Sequence, residues 1–382
     1  MSDLVSAPAP RVGDRPATAP CYHGGAFFDA IGSDFRDLSR RHAVVAADVL
    51  DAWFDPSPVV SAALTEALPW LLRTSPPTQA EGLVATIAGA RGLDPDAIAV
   101  GAGSSDLIFR CFQAWLTPRS RVLLPDPSYG EYAHVLTHVV GCRVTRFPLS
   151  RAEGWRIDPG ALAAAASGHD LAIVVNPNNP TGRHLPRREL AAAVAAAPRT
   201  RFWIDEAYIG YVGDDESLER LAATRDNLVV CKSLSKAYAL SGARAAYLTA
   251  DRALVARVRA LTPPWAVGLP SQVAACAALS DPSYYRTAWQ RTHRLRRALV
   301  TALRHVDGLG VEGSDINLVL VRLAPWLPDA ATIVGRIRAR DVFVRDLANL
   351  SPAFGDRTLR IAVKDAHGNA RVVAALAAAL DR

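Results

Sequence analysis

Between residues 97 and 248 the chain alternates short apolar runs with helical patterns, and this limits the fold more than any other feature. The runs lie at 97–100, 121–124, 171–175, 201–204, 228–231 and 243–248. Helical periodicity separates several of them, as at 105–116 and 187–196. Strands alternating with helices pack as a mostly parallel sheet covered on both faces. In such sheets ligands bind outside the carboxyl ends of the strands. Loops far apart in the chain can therefore meet at one site.

A length of 382 residues implies more than one domain. Pro263, Pro264 and Pro270 interrupt the pattern near 261–270. The expected division is an N-terminal arm over 1–45, a large domain over 46–265 and a smaller α+β domain over 266–382. The smaller unit reads as one long helix over 271–304, strands near 318–321 and 342–344, and a last helix ending at Leu380. The arm could join that unit or reach a partner subunit. Its first 20 residues are rich in Ala, Pro, Ser and Asp and lack the basic-then-apolar order of a secretion signal. No apolar run reaches the roughly 18–20 residues of a membrane helix. A cytoplasmic protein with no membrane contact is expected.

The net charge of +6 comes from scattered residues with no block of like sign, so nucleic-acid binding is not expected. Arg286, Arg291, Arg294, Arg296 and Arg297 share a helical pattern and read as a solvated face. The five cysteines, Cys21, Cys111, Cys142, Cys231 and Cys276, include no C-x-x-C spacing. Neither a disulfide framework nor a metal site is suggested. Of 43 basic residues only Lys232, Lys236 and Lys364 are lysines. Arginine supplies nearly all the positive charge, so a retained lysine can mark a needed amine. Lysine can lose its proton and attack a carbonyl, and arginine cannot.

Polar clusters follow nearly every apolar run. G-A-G-S-S-D at 101–106 ends a run and opens a helix, which suits a phosphate bound by free N–H groups; an ordinary glycine turn is the plain alternative. D-P-S-Y at 126–129 offers Tyr129 to stack on a planar ring. N-P-N-N-P-T-G at 176–182 is a rigid loop from which Asn179 can donate to a phenolate oxygen, or simply a turn. In W-I-D-E-A-Y at 203–208, Asp205 follows a buried run, and a carboxylate there needs a partner. A protonated pyridine nitrogen would serve, with Tyr208 reaching the same ring's oxygen; a helix cap is the alternative. S-L-S-K at 233–236 and S-G-A-R at 241–244 combine a lysine with hydroxyls and Arg244, the residue type best suited to a phosphate. Arg360 lies near the C-terminus, with Asn317 and Arg345 as further polar candidates.

Together these features fit pyridoxal 5′-phosphate. Asp205 would keep the pyridinium protonated so that the ring withdraws electrons from a substrate Cα. Lys236 would hold the cofactor and later shuttle the proton.

The set resembles the class I/II aminotransferase family of fold type I pyridoxal-phosphate enzymes, from about residue 23 to the C-terminus. The N-P-x-N-P-T-G, D-E-A-Y and S-x-S-K signatures stand at 176–182, 205–208 and 233–236. The histidinol-phosphate aminotransferase and threonine-phosphate decarboxylase branches are the most similar. The resemblance implies a large domain with a mostly parallel seven-stranded sheet, a smaller α+β domain, and a homodimer. It makes Lys236 the Schiff-base lysine and Asp205 the pyridine-nitrogen partner. Asn179 and Tyr208 become contacts to the ring hydroxyl, and Tyr129 the stacking aromatic. Ser104, Ser105, Ser233, Ser235 and Arg244 form the phosphate cup. Arg360 binds the substrate α-carboxylate, and Arg345 lies near the substrate's distal end. His23 is similar to a substrate-phosphate residue of the decarboxylase branch.

Three departures stand out, one of them Ser75, where the family usually supplies a tyrosine to the partner's cofactor phosphate. An N-x-N-P-like loop is replaced by D-A-W-F-D-P at 51–56, and Lys364 stands where aminotransferases usually have glycine. An Asp at position 51 would repel a phosphorylated substrate. The expected activity is transfer of the α-amino group of an L-amino acid to a keto acid, with a specialised substrate of secondary metabolism as one form of it. The alternatives are decarboxylation of an amino acid, with or without oxygen, and a non-catalytic cofactor-binding regulator.

Overall fold

The computed structural model describes residues 24–380. β1 (Val45–Ala47) precedes a block of seven strands: β2 (Ile98–Gly101), β3 (Arg121–Asp126), β4 (Arg143–Pro148), β5 (Leu171–Val175), β6 (Arg201–Asp205), β7 (Leu228–Ser233) and β8 (Ala246–Thr249). They form one sheet in the order β2-β8-β7-β6-β5-β3-β4. All pairings are parallel except those of β8 with β2 and β7. The expected mostly parallel seven-stranded sheet is therefore present.

β5 and β7 are buried along their whole length, and β6 nearly so, as a sheet covered on both faces requires. Alternate residues serve the two faces. Ile173, Val175 and Trp203 pack on one side with Leu107, Ile108 and Phe112 of the helix Ser104–Trp115. Ala172, Val174, Phe202 and Ile204 pack on the other with Leu162, Leu190 and Val194. Each such side chain contributes about 1.5–3 kcal/mol by leaving water. β4, R-V-T-R-F-P, is an exposed edge strand whose polar alternation hid it from a search for apolar runs.

A second sheet has the order β1-β11-β12-β10-β9, with β9 (Leu309–Glu312), β10 (Leu318–Leu323), β11 (Val342–Asp346) and β12 (Thr358–Ala362). β1 joins it by parallel pairing with β11. The chain beyond β1 then runs to the edge of the large sheet's site. A helix, Ala366–Leu380, closes this unit.

The single helix expected over 271–304 is two helices, Leu269–Ser280 and Pro282–Arg304. Pro282 has no N–H to continue the first helix and suits the start of the second. Asp281 caps the second helix by accepting from the Tyr284 N–H at 3.3 Å. The arginines of that helix are not all solvated. Arg296 donates to the Ile316 carbonyl at 2.8 Å, and Arg291 stacks 4.6 Å from the Trp53 ring. Among the described residues no helix is long and apolar enough to cross a membrane.

Candidate functional site

The carboxyl ends of β2, β3, β5, β6 and β7 lie on one edge of the large sheet. Their loops enclose a cavity of about 210 Å³ lined by Ser104, Ser105, Tyr129, Asn179, Asp205, Tyr208, Ser233, Ser235, Lys236 and Arg244, with Val175 and Ala207. Ten side chains expected from the sequence to bind one cofactor thus meet in one space. Arg360 adjoins it, Arg345 stands beside Arg360, and His23 lies outside the described residues.

One end is polar and basic. Ser104 and Ser105 open the helix Ser104–Trp115, so free N–H donors point out of its first turn. Gly103, with φ +88°, makes the turn, and a Cβ there would stand 2.5 Å from the Arg244 guanidinium. A side chain there would be strained by the positive φ and would push the guanidinium aside. Arg244 Nη1 is held by the Ser241 carbonyl at 3.2 Å. Hydroxyls, a helix N-terminus and a guanidinium make an anion cradle.

The opposite end is a buried carboxylate. Asp205 closes β6, where Tyr132 donates to Oδ2 at 2.7 Å and the Ala207 N–H to Oδ1 at 3.0 Å. Burial pushes its carboxyl up to about 6, against those two hydrogen bonds. No salt bridge reaches it among the described residues. A cation delivered into the cavity would relieve that cost, so Asp205 suits a protonated ring nitrogen.

Between the ends, the 176–182 loop is held by its other asparagines. Asn176 exchanges two 2.8 Å hydrogen bonds with Leu185, and Asn178 donates to the Pro127 carbonyl at 3.0 Å. Asn179 is left to face the cavity, its amide 3.4 Å from the Tyr208 hydroxyl. Burial, first of all, raises the Tyr208 phenol above its ordinary range. Tyr129 donates to Glu131 at 2.9 Å, as does Ser105.

Arg360, on β12, donates to the Asn179 side-chain oxygen and the Asp48 carbonyl, each at 2.8 Å. Burial pulls its guanidinium down to about 10, so it stays charged at neutral pH. Arg345 is its register partner on β11 and reaches Asn349 at 3.3 Å. Asp48 also accepts from the Gly25 and Ala26 N–H groups at 2.8 and 3.0 Å.

Lys236 donates to Asp51 at 2.6 Å. The other two lysines are also removed from open solvent. Lys232 is a buried cation 3.2 Å from Glu219 and 3.7 Å from Glu206, so it serves charge balance behind the sheet. Burial drives the Glu206 carboxyl up to about 7. Lys364 is half-buried, and its backbone is clasped by Asn369 at 2.9 and 2.8 Å. Sequence reasoning missed Tyr132 and Glu131. Neither follows a strand directly, and only the fold turns them toward Asp205 and Tyr129.

The arrangement can hold an anion and a cationic ring, with an amine in the same cavity and a buried arginine alongside. The family model "Aminotransferase class I and II" matches residues 54–380. A histidinol-phosphate aminotransferase of Rubrobacter xylanophilus is 35% identical over 288 residues, 74% of this chain and 80% of that protein. A threonine-phosphate decarboxylase of Salmonella typhimurium is 30% identical over 285 residues, 73% and 76% of the two chains. In fold, the chain matches a histidinol-phosphate aminotransferase of Sinorhizobium meliloti solved with pyridoxal-5′-phosphate. The TM-score is 0.82 at 22% identity, covering 97% of this chain and 96% of that one.

Proposed function

The chain belongs to the class I and II aminotransferases, and on that premise we propose that it transfers the α-amino group of an L-amino acid to a keto acid with pyridoxal 5′-phosphate as cofactor. The reading includes a homodimer working in the cytoplasm. Exposed Leu68, Trp70 and Leu72 on the helix Pro58–Arg73 support a covered face there.

The observation that carries the reading is the convergence of Lys236, Asp205 and the Ser/Arg cradle on one cavity. Pyridoxal 5′-phosphate supplies an aldehyde carbon for amine capture and an electron-withdrawing ring. Ser104, Ser105, Ser233, Ser235 and Arg244 hold its phosphate. Asp205 keeps a proton on the ring nitrogen, and Tyr132 orients Asp205. Asn179 and Tyr208 hold the ring hydroxyl, while Tyr129 covers a ring face. Arg360 takes the substrate α-carboxylate, and its bond to Asn179 fixes the substrate relative to the ring. Lys236 anchors the cofactor and, once released, takes the proton from the substrate Cα. Arg345 and His23 are assigned to the substrate's distal end.

The test is a panel of amino acids added to the holoenzyme. Pyridoxamine phosphate with a matching keto acid is expected. Carbon dioxide with no pyridoxamine form overturns the reading in favour of decarboxylation. That second reading is supported by the 30% identity to the Salmonella decarboxylase.

A further inference from the structure

Asp51 does not line the cavity just described, but it contacts Lys236, which does, and the chemistry above assigns it no role. Asp51 Oδ1 accepts from Lys236 Nζ at 2.6 Å and from the Ser241 hydroxyl at 2.7 Å. The loop that carries it is fixed on both sides. Asn317 donates to the Leu50 carbonyl at 2.9 Å, and the Trp53 indole donates to Thr292 at 2.7 Å. The carboxylate is therefore held at Lys236 by the fold and does not depend on the lysine for its place.

The groups facing Asp51 come from several elements. Lys236 and Ser241 follow β7, Lys364 follows β12, and Tyr208 and Tyr211 follow β6; Asp48, after β1, acts on Lys364. Burial raises the Asp51 carboxyl, but Lys236, Ser241 and Lys364 outweigh it and leave it below its ordinary range. The carboxylate stays ionised at neutral pH. Lys364, pinned by Asn369, supplies a second positive charge that does not move with Lys236. The Ser241 hydroxyl and Lys364 add smaller attractions in the same direction as Lys236.

We propose that Asp51 is a positioning residue that keeps the proton on the Lys236 nitrogen, and so sets the pH at which the cofactor-bearing nitrogen loses it. The proposal rests on the reading that Lys236 carries the cofactor. A carboxylate in hydrogen-bond contact favours the charged form of its partner. Lys364 acts in the opposite sense, because its positive charge opposes a second one on Lys236. Two positions where the sequence departs from its family thus form one opposed pair around one nitrogen.

The test is a pH titration of the visible absorption of the holoenzyme, with borohydride reduction to locate the label. Asp51→Asn, which keeps the shape and loses the charge, is expected to lower the absorption midpoint by roughly one to two pH units. Asp51→Glu restores it in part. Lys364→Gln is expected to raise it, and this keeps the test open should Asp51→Asn lose its cofactor. With the label on Lys236, an unmoved midpoint in either Asp51→Asn or Lys364→Gln overturns the proposal and leaves the functional reading intact. A label on a peptide lacking Lys236 overturns both.

Discussion

Arg360 and Asn179, 181 residues apart in the chain, are joined by a 2.8 Å hydrogen bond that links the small sheet to the large one. The same guanidinium donates to the Asp48 carbonyl, so its plane is set before any substrate arrives. Arg360→Lys keeps a charge but loses the fork that matches a carboxylate. We expect kcat/KM for the amino acid to fall about 100-fold, mostly in KM, the scale of one or two charged hydrogen bonds. Cofactor absorbance should be retained. Steady-state kinetics with a spectrum of the variant check this.

Lys236→Ala should remove the visible absorption of the bound cofactor and leave no borohydride-stable label. The protein should still fold, because the lysine is only half-buried. Persistence of the band in the purified variant would contradict the assignment.

Asp205 predicts a particular pH dependence. Its carboxyl is raised from 3.8 to about 6 by burial in the cofactor-free protein. A raised carboxyl favours the folded state most where it is protonated. That contribution is complete below its unfolded value and is lost as pH rises through about 6. Cofactor-free wild type should thus lose stability relative to Asp205→Asn between about pH 4 and 6, by about 3 kcal/mol at most. Adding cofactor should stabilise wild type more than Asp205→Asn above that range. Thermal melts across pH, with and without cofactor, give both comparisons.

Lys232 makes a stability prediction separate from the chemistry. Lys232→Met leaves Glu206 and Glu219 without their shared cation inside the protein. Such losses cost about 3–5 kcal/mol. The lower end is expected, because Glu206, near 7, takes up a proton instead. Denaturant unfolding measures the loss, and the cofactor band at low temperature should be unchanged.

The strand-end clusters were readable in the sequence for a physical reason. A buried strand is a run of apolar residues, and the residues that end it are conspicuous polar ones. Asp205 after F-W-I and Lys236 after S-L-S are marked in this way. β4 was not marked, because an edge strand keeps its polar side chains. The break at Asp281–Pro282 was overridden by the helical periodicity on either side of it. The Asp51–Lys236 contact spans 185 residues and joins β1 of one sheet to the loop after β7 of the other. Asp51 could be read as a departure from its family, but only the folded chain gives it a partner. Tyr132 had no local mark either, since a tyrosine inside a helix is usually core.

The two sheets divide the labour unevenly. Every side chain lining the cavity belongs to the large sheet and its loops, while Arg360 and Arg345 come from the small one. On the proposed function, changes on β11 around Arg345 would alter which amino acid is accepted, while Arg360 on β12 is tied to Asn179 and should stay. Asn179 and Asp51 are the joints between the halves. An engineer seeking a new substrate would repaint β11 and leave those two, and Arg360, alone.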